Sequence, residues 1–186
     1  EVLIPMNGLL PNGHKYTLTV IAPTLTAKGY SEYTCFCGYS YRDSYTDPIK
    51  SETALAKDDS VIGTDGLTVQ NLLQQLSKGA VIKNADGLEK NGNDKVGTGD
   101  KLVLADGTEL VVSVLGDLNG DGEIATSDAR LALRKAVGLE SFDDAHNAAA
   151  DVDGNTEVAV ADARKILRAS VNLDQSSNWF KNLSEK

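Results

Sequence analysis

DLNGDGEIATSDARLALRKAVGL at residues 117–139 and DVDGNTEVAVADARKILRASVNL at residues 151–173 superpose at an offset of 34, with 11 of 23 positions identical. A period of this length marks an internal duplication, two copies of one supersecondary unit. Each copy opens with oxygen-bearing side chains at loop positions 1, 3, 5 and 12. These are Asp117, Asn119, Asp121 and Asp128 in the first, and Asp151, Asp153, Asn155 and Asp162 in the second. Alternate residues of a tightly turned loop point inward, and the position-7 backbone carbonyl, here of Glu123 or Glu157, supplies another oxygen. Calcium takes about six to eight such oxygens, whereas magnesium demands a tighter octahedron and keeps its waters. The expected cofactor is therefore calcium, two ions, one per loop. Position 9 is Ala125 or Ala159, so a water is expected to complete each shell.

The copies differ at position 6, the sharp turn, where Gly122 faces Thr156. A β-branched residue at positive φ is costly, so the second loop is expected to follow an altered path or to bind more weakly. Each loop leads into one helix. Ala129, Ala132, Leu133, Ala136 and Val137 share a face of the first, and Ala163, Ile166, Leu167 and Val171 a face of the second, so the two faces are expected to pack together. Between the copies, SFDDAHNAAA reads as a short helix capped by Ser141. Unlike an EF-hand sensor, the first loop is entered from a strand, ELVVSVLG, and the chain has a single methionine, Met6. Calcium here reads as a staple for a unit of roughly 60 residues, whose own core contributes little stability.

Upstream, residues 1–57 hold all six tyrosines and alternate β-branched or aromatic residues with polar ones, as short antiparallel strands do. Residues 58–116 read as α+β. Thr68 caps a helix through Val69, Leu72, Leu73 and Leu76 before Gly79, and a hairpin turns near Asp106 and Gly107. In Cys35-Phe36-Cys37 the thiols would share a strand face near the upper Cα limit for a bridge, so reduced thiols are expected. The tail QSSNWFKNLSEK offers Trp179 and Phe180 as a clasp folded back on the rest of the chain.

Composition narrows the functions. Hydrophobic residues at 41% and charged residues at 24% are ordinary for a globular chain, and no apolar run approaches the ~20 residues of a membrane span. The net charge of -9 disfavours nucleic acid. With only His14 and His146, neither in a recognisable motif, and with cysteines at positions 35 and 37 alone, no nucleophilic triad or zinc site suggests itself. The chain is expected not to be an enzyme. Its opening, EVLIPMNG, reads as the start of a piece of something longer.

A duplicated loop-plus-single-helix unit with the signatures DLNGDGEIATSDARLALRK and ADVDGNTEVAVADARKILR resembles a dockerin, the cellulosomal module that binds cohesin domains. The match covers about residues 115–174. Residues 1–116, through TLTAKGYSEYTCFCGYSYRD and KVGTGDKLVLADGTELVVSVLGD, resemble the X-module that precedes certain dockerins of ruminococcal type. The resemblance implies a fold of class α+β, a β-rich X-module (1–57 and 58–116) followed by an all-α dockerin (117–174) with two calcium loop–helix motifs and a tail (175–186). It implies one-to-one attachment to a cohesin at the bacterial cell surface, outside the cell. The partner-binding positions it implies are Thr126, Ser127, Arg130, Arg134 and Lys135 in the first copy, and Val160, Ala161, Arg164, Lys165 and Arg168 in the second. Because a hydroxyl pair at 126–127 faces an apolar pair at 160–161, one binding orientation is expected to dominate. The alternative is a calcium-stabilised carbohydrate-binding module that uses the tyrosine-rich strands as its platform.

Overall fold

The β-branched and aromatic residues of YTLTVI, GYSEYTC and SYRDSYT form three strands, β1 (Tyr16–Ile21), β2 (Gly29–Cys35) and β3 (Ser40–Thr46), in an antiparallel sheet of order β1-β2-β3, although their burial does not alternate. The computed structural model describes residues 15–48, 51, 53–57, 60–76 and 78–184; Met6, His14 and the opening segment lie outside them. The chain divides into two compact units, Glu1–Ile49 and Lys50–Lys186. In the first, Tyr33 lies opposite Tyr41 and their rings stack at 4.8 Å. Glu32, opposite Arg42, accepts from its Nε at 3.0 Å, and the guanidinium sits 4.3 Å from the Tyr30 ring centre. Tyr16 is buried, Tyr30, Tyr33 and Tyr41 are half-buried, and Tyr39 and Tyr45 are exposed. Cys35 ends β2 and Cys37 stands on the turn that follows, not on a strand; no disulfide joins them.

The second unit is mixed α+β. Its sheet has the order β4-β5-β9-β8-β6-β7, built from β4 (Ala54–Lys57), β5 (Ser60–Gly63), β6 (Val81–Lys83), β7 (Glu89–Lys90), β8 (Lys101–Val103) and β9 (Glu109–Val114). Among the described strands only β5 and β9 run parallel, so the chain between them must cross over; the other pairs are antiparallel. Because β4 pairs with β5, the boundary between the units falls after Ile49, earlier than the position 57 at which the tyrosine-rich composition ends. The hairpin between β8 and β9 turns at Asp106, whose Oδ1 accepts the Thr108 amide, and at Gly107, with φ +88°. Helix α1 (Val69–Leu73) is capped by Thr68 Oγ1, which accepts the Asn71 amide at 3.3 Å, and it stops before Leu76.

From Thr126 the described chain adds α2 (Thr126–Ala136), α3 (Asp144–Ala150), α4 (Val160–Ser170) and α5 (Ser177–Ser184). The duplication is visible in the ends of α2 and α4. Each starts without a side-chain cap, and a carboxylate at the third helical position, Asp128 or Asp162, accepts the amide of Ala125 or Ala159. Each ends in a Schellman motif, with Gly138 and Asn172 in the left-handed region and the Leu139 and Leu173 amides bonded back to the Arg134 and Arg168 carbonyls at 2.8 Å. Helix α3 is capped not by Ser141 but by Asp143, whose Oδ1 accepts the His146 amide at 2.9 Å, so the helix begins at Asp144 rather than at Phe142.

One apolar cluster joins the sheet to the helices: Ile62 and Leu115 meet Leu118, Ala129, Ala132, Ala149, Ala150, Val152, Ala163 and Ile166. Trp179 and Phe180 complete it from α5, so the tail closes on the helical core. Phe180 is among the largest fully buried side chains. Phe180→Ala should lower unfolding free energy by about 3–5 kcal/mol, read by urea denaturation, whereas a loss below ~1 kcal/mol would show that α5 is not integral to this core.

Candidate metal centre and the groove between the repeats

The two loops share one backbone path. Gly120 and Gly122 have φ of +80° and +76°, and Gly154 and Thr156 have φ of +69° and +74°. Thr156 thus does not divert its loop, as its side chain predicted; it is held in the left-handed region, where a β-branched residue costs about 1–3 kcal/mol. The hydrogen bonds that fold the first turn are also shared. Asp117 Oδ2 accepts the Gly122 amide at 3.0 Å and Asp151 Oδ2 the Thr156 amide at 2.7 Å, while Asp121 and Asn155 Oδ1 accept from Glu123 and Glu157.

The carboxylates nevertheless end in different places. In loop 2, Asp151, Asp153 and Asp162 converge, each offering an oxygen within 4.8 Å of the others, a cluster that could hold a metal ion. Asp162 is fully buried and its Oδ1 has no hydrogen-bond partner; Asp153 Oδ1 is likewise buried without one. Burial pushes the Asp162 carboxyl above its ordinary range, and the charges of Asp153 and Asp151 add to the push. Lys165 reaches Asp153 Oδ2 at 3.0 Å and offsets part of this charge. Orphaned buried oxygens beside two other carboxylates are what a hard cation would satisfy.

In loop 1, two ligand candidates are spent on backbone amides. Asp128 Oδ1 accepts the Leu118 and Asn119 amides at 2.9 and 3.1 Å, donors that Asp162 Oδ1 lacks. Asp117 Oδ2 accepts the Thr98 amide at 2.9 Å as well as that of Gly122, and Oδ1 accepts from Gly120. Asn119 Nδ2 donates to Asp121 Oδ2 at 2.8 Å, and the Glu123 carboxylate pairs with Lys95. Among the described residues the carboxylates gather at one loop, not at both. Part of the reason lies outside the repeat. The segment 95–100 wraps loop 1 so closely that a Cβ on Gly97 would collide with the Gly120 carbonyl, and Thr98 Oγ1 donates to the Asp117 carbonyl at 2.7 Å. Asp100 holds that segment through the Gly97 amide and Lys90, both within 2.8 Å.

Helices α2 and α4 pack through Ala129, Ala132, Ala163 and Ile166, but the apolar faces are wider than the contact. Leu133 and Leu167 are 44% and 46% exposed, and Val137 and Val171 are also exposed rather than packed. Small residues at the crossing let the backbones approach and leave the larger ones flanking a groove of about 450 Å³. Its lining residues are Thr126, Ala129, Arg130 and Leu133, with Val160, Ala163, Arg164 and Leu167, four pairs each 34 residues apart. Of the sequence-predicted partner residues, Thr126, Arg130, Val160 and Arg164 line this groove; Ala161 is exposed but does not.

The others have partners within the chain. Arg134 binds Glu140 and Arg168 binds Asp174, Lys165 serves the carboxylate cluster, Lys135 lies over the Phe142 ring, and Ser127 Oγ donates to Asp128. Leu133 and Leu167, assigned from periodicity to internal packing, are groove residues instead. Their equivalence in the two copies was the available signal.

Compared with known proteins, the chain matches no family model, no curated protein and no solved structure.

Two substitutions separate the loops. Asp162→Asn removes the orphaned charge, so it should cost little in chelator, and any rise in melting temperature on adding calcium that depends on this cluster should be lost. Asp117→Ala should destabilise with or without calcium, by about 1–3 kcal/mol for each buried amide left unsatisfied. Thr156→Gly should relieve the backbone strain, a gain of up to about 2 kcal/mol after the entropic cost of glycine. Scanning calorimetry in calcium and in chelator reads all three; a Thr156→Gly chain that melts lower would refute the strain assignment.

Proposed function

We propose that the chain is a noncatalytic assembly module, a dockerin preceded by an X-module, that docks one cohesin domain at the bacterial cell surface with calcium ordering the loops. The observation that carries this reading is the groove between α2 and α4, apolar along its floor, open to solvent and built from matched residues of both repeats. Exposed leucines after the two helices follow the same symmetry, with Leu139 and Leu173 both 65% exposed. Contiguous apolar surface bounded by polar residues is the mark of a protein–protein site rather than of a monomer's ordinary surface. Arg130 and Arg164 at its rim favour a partner that sets carboxylates around an apolar ridge.

Calcium suits the carboxylate cluster because every ligand is oxygen and calcium accepts irregular coordination. In loop 2, Asp151, Asp153 and Asp162 would hold the ion, with Asn155 and the Glu157 carbonyl as further candidates. In loop 1 the matching set, Asp117, Asn119, Asp121 and Asp128 with the Glu123 carbonyl, would have to release amide hydrogen bonds first. In this reading the segment 95–100 is how the X-module braces the dockerin. Among the described residues no helix is long and apolar enough to cross a membrane.

The tyrosine-rich sheet offers less to a sugar. Tyr33 and Tyr41 are stacked at 13°, which spends ring faces on each other that a carbohydrate would need.

Titration calorimetry against a panel of purified cohesins tests the proposal. One-to-one binding to one class, lost in chelator, is expected. Leu133→Asp with Leu167→Asp should weaken it at least a hundredfold, since each would bury an unpaired carboxylate in the interface. Failure across the panel with calcium loading verified, or binding indifferent to both substitutions, would overturn it.

A further inference from the structure

The turn after β2 places two sulfurs together. The Gly38 amide donates to the Cys35 carbonyl at 2.9 Å and the Cys35 amide to the Tyr39 carbonyl at 2.7 Å, so Cys35, Phe36, Cys37 and Gly38 form a closed β-turn, with Gly38 at φ +89°. A turn draws its first and third positions closer than the ~6.6 Å that two residues span along a strand. That brings the pair well inside the window of about 4.4–6.8 Å for a disulfide. The Cys37 amide itself donates to Cys35 Sγ at 3.4 Å, which holds the sulfur of buried Cys35 against the backbone of exposed Cys37. Phe36 between them is fully exposed.

We propose that Cys35 and Cys37 form a thiol–disulfide exchange pair, in which exposed Cys37 attacks a small disulfide and buried Cys35 resolves the adduct. The Cys37 thiolate attacks one sulfur of the disulfide RSSR, forming a mixed disulfide and releasing RS⁻, which takes up the proton Cys37 lost. The Cys35 thiol then gives up its proton and attacks Cys37 Sγ, closing the internal disulfide and releasing the second RSH. Two protein thiols are oxidised and one RSSR is reduced to two RSH. The two roles agree with the electrostatics. Hydrogen bonding between the thiols lowers the Cys37 pKa and raises that of Cys35, so the exposed sulfur ionises first. Exposed Phe36 gives an apolar disulfide a surface beside the attacking sulfur.

The full chain equilibrated in mixtures of reduced and oxidised glutathione, blocked with a maleimide and weighed intact, tests this. Expected is one transition from a doubly blocked chain to an unblocked chain two hydrogens lighter than the unmodified dithiol, at a midpoint independent of protein concentration. Cys35→Ser should accumulate the glutathione adduct that the parent chain resolves, and Cys37→Ser should react at least roughly tenfold more slowly than Cys35→Ser. A parent chain that stops at the adduct, crosslinks to a second chain or stays doubly blocked in oxidised glutathione would overturn the pair. Equal rates for the two serine variants would overturn the roles. The titration of the parent chain needs neither variant to fold.

Discussion

A carboxylate with no exposed surface must find donors, and Asp117 finds the amides of Thr98, Gly120 and Gly122. That requirement ties the first repeat to the sheet that precedes it. To bring the Thr98 amide within reach, the chain passes so close to Gly120 that no side chain fits at Gly97. To hold that approach, Asp100 accepts the Gly97 amide and pairs with Lys90. The sheet, the wrapping segment and loop 1 therefore share one hydrogen-bond network, beside an apolar cluster that runs from Ile62 to Phe180.

Two nearly identical stretches thereby acquire different properties. Loop 1 is clasped by segment 95–100, and its position-12 carboxylate rests on backbone amides. Loop 2 has no such clasp among the described contacts, and its carboxylates remain turned toward one another, with buried oxygens unsatisfied. Duplication supplies the same ligand set twice, but desolvation and neighbouring donors set the state of each copy. Outside the loops the symmetry survives. The helix ends, the arginine–carboxylate ties of Arg134 and Arg168, and the groove lining all repeat at the same offset.

Much of the architecture was legible beforehand. The strands of residues 16–46, the hairpin at Asp106 and Gly107, the Thr68 cap and the two loop–helix units all follow from short-range rules of propensity, capping and turn chemistry. Short-range rules decide less where they compete. Both Ser141 and Asp143 can cap a helix, and the choice fell to the residue whose carboxylate reaches the His146 amide. Leu133 and Leu167 satisfy helical periodicity, yet periodicity names a face without saying what covers it.

By itself, then, the sequence determined the duplication, the oxygen-rich loops, the helices that follow them and the mixed α+β class, because each depends on residues close along the chain. Only the tertiary structure decided which loop gathers its carboxylates, that Thr156 bears the strain instead of diverting the backbone, and that the apolar stripes of α2 and α4 form a groove. The first and the last depend on donors and surfaces that segment 95–100 and the opposite repeat bring from far along the chain, and Thr156 is kept on the shared loop path by the Asp151 carboxylate, which accepts its amide.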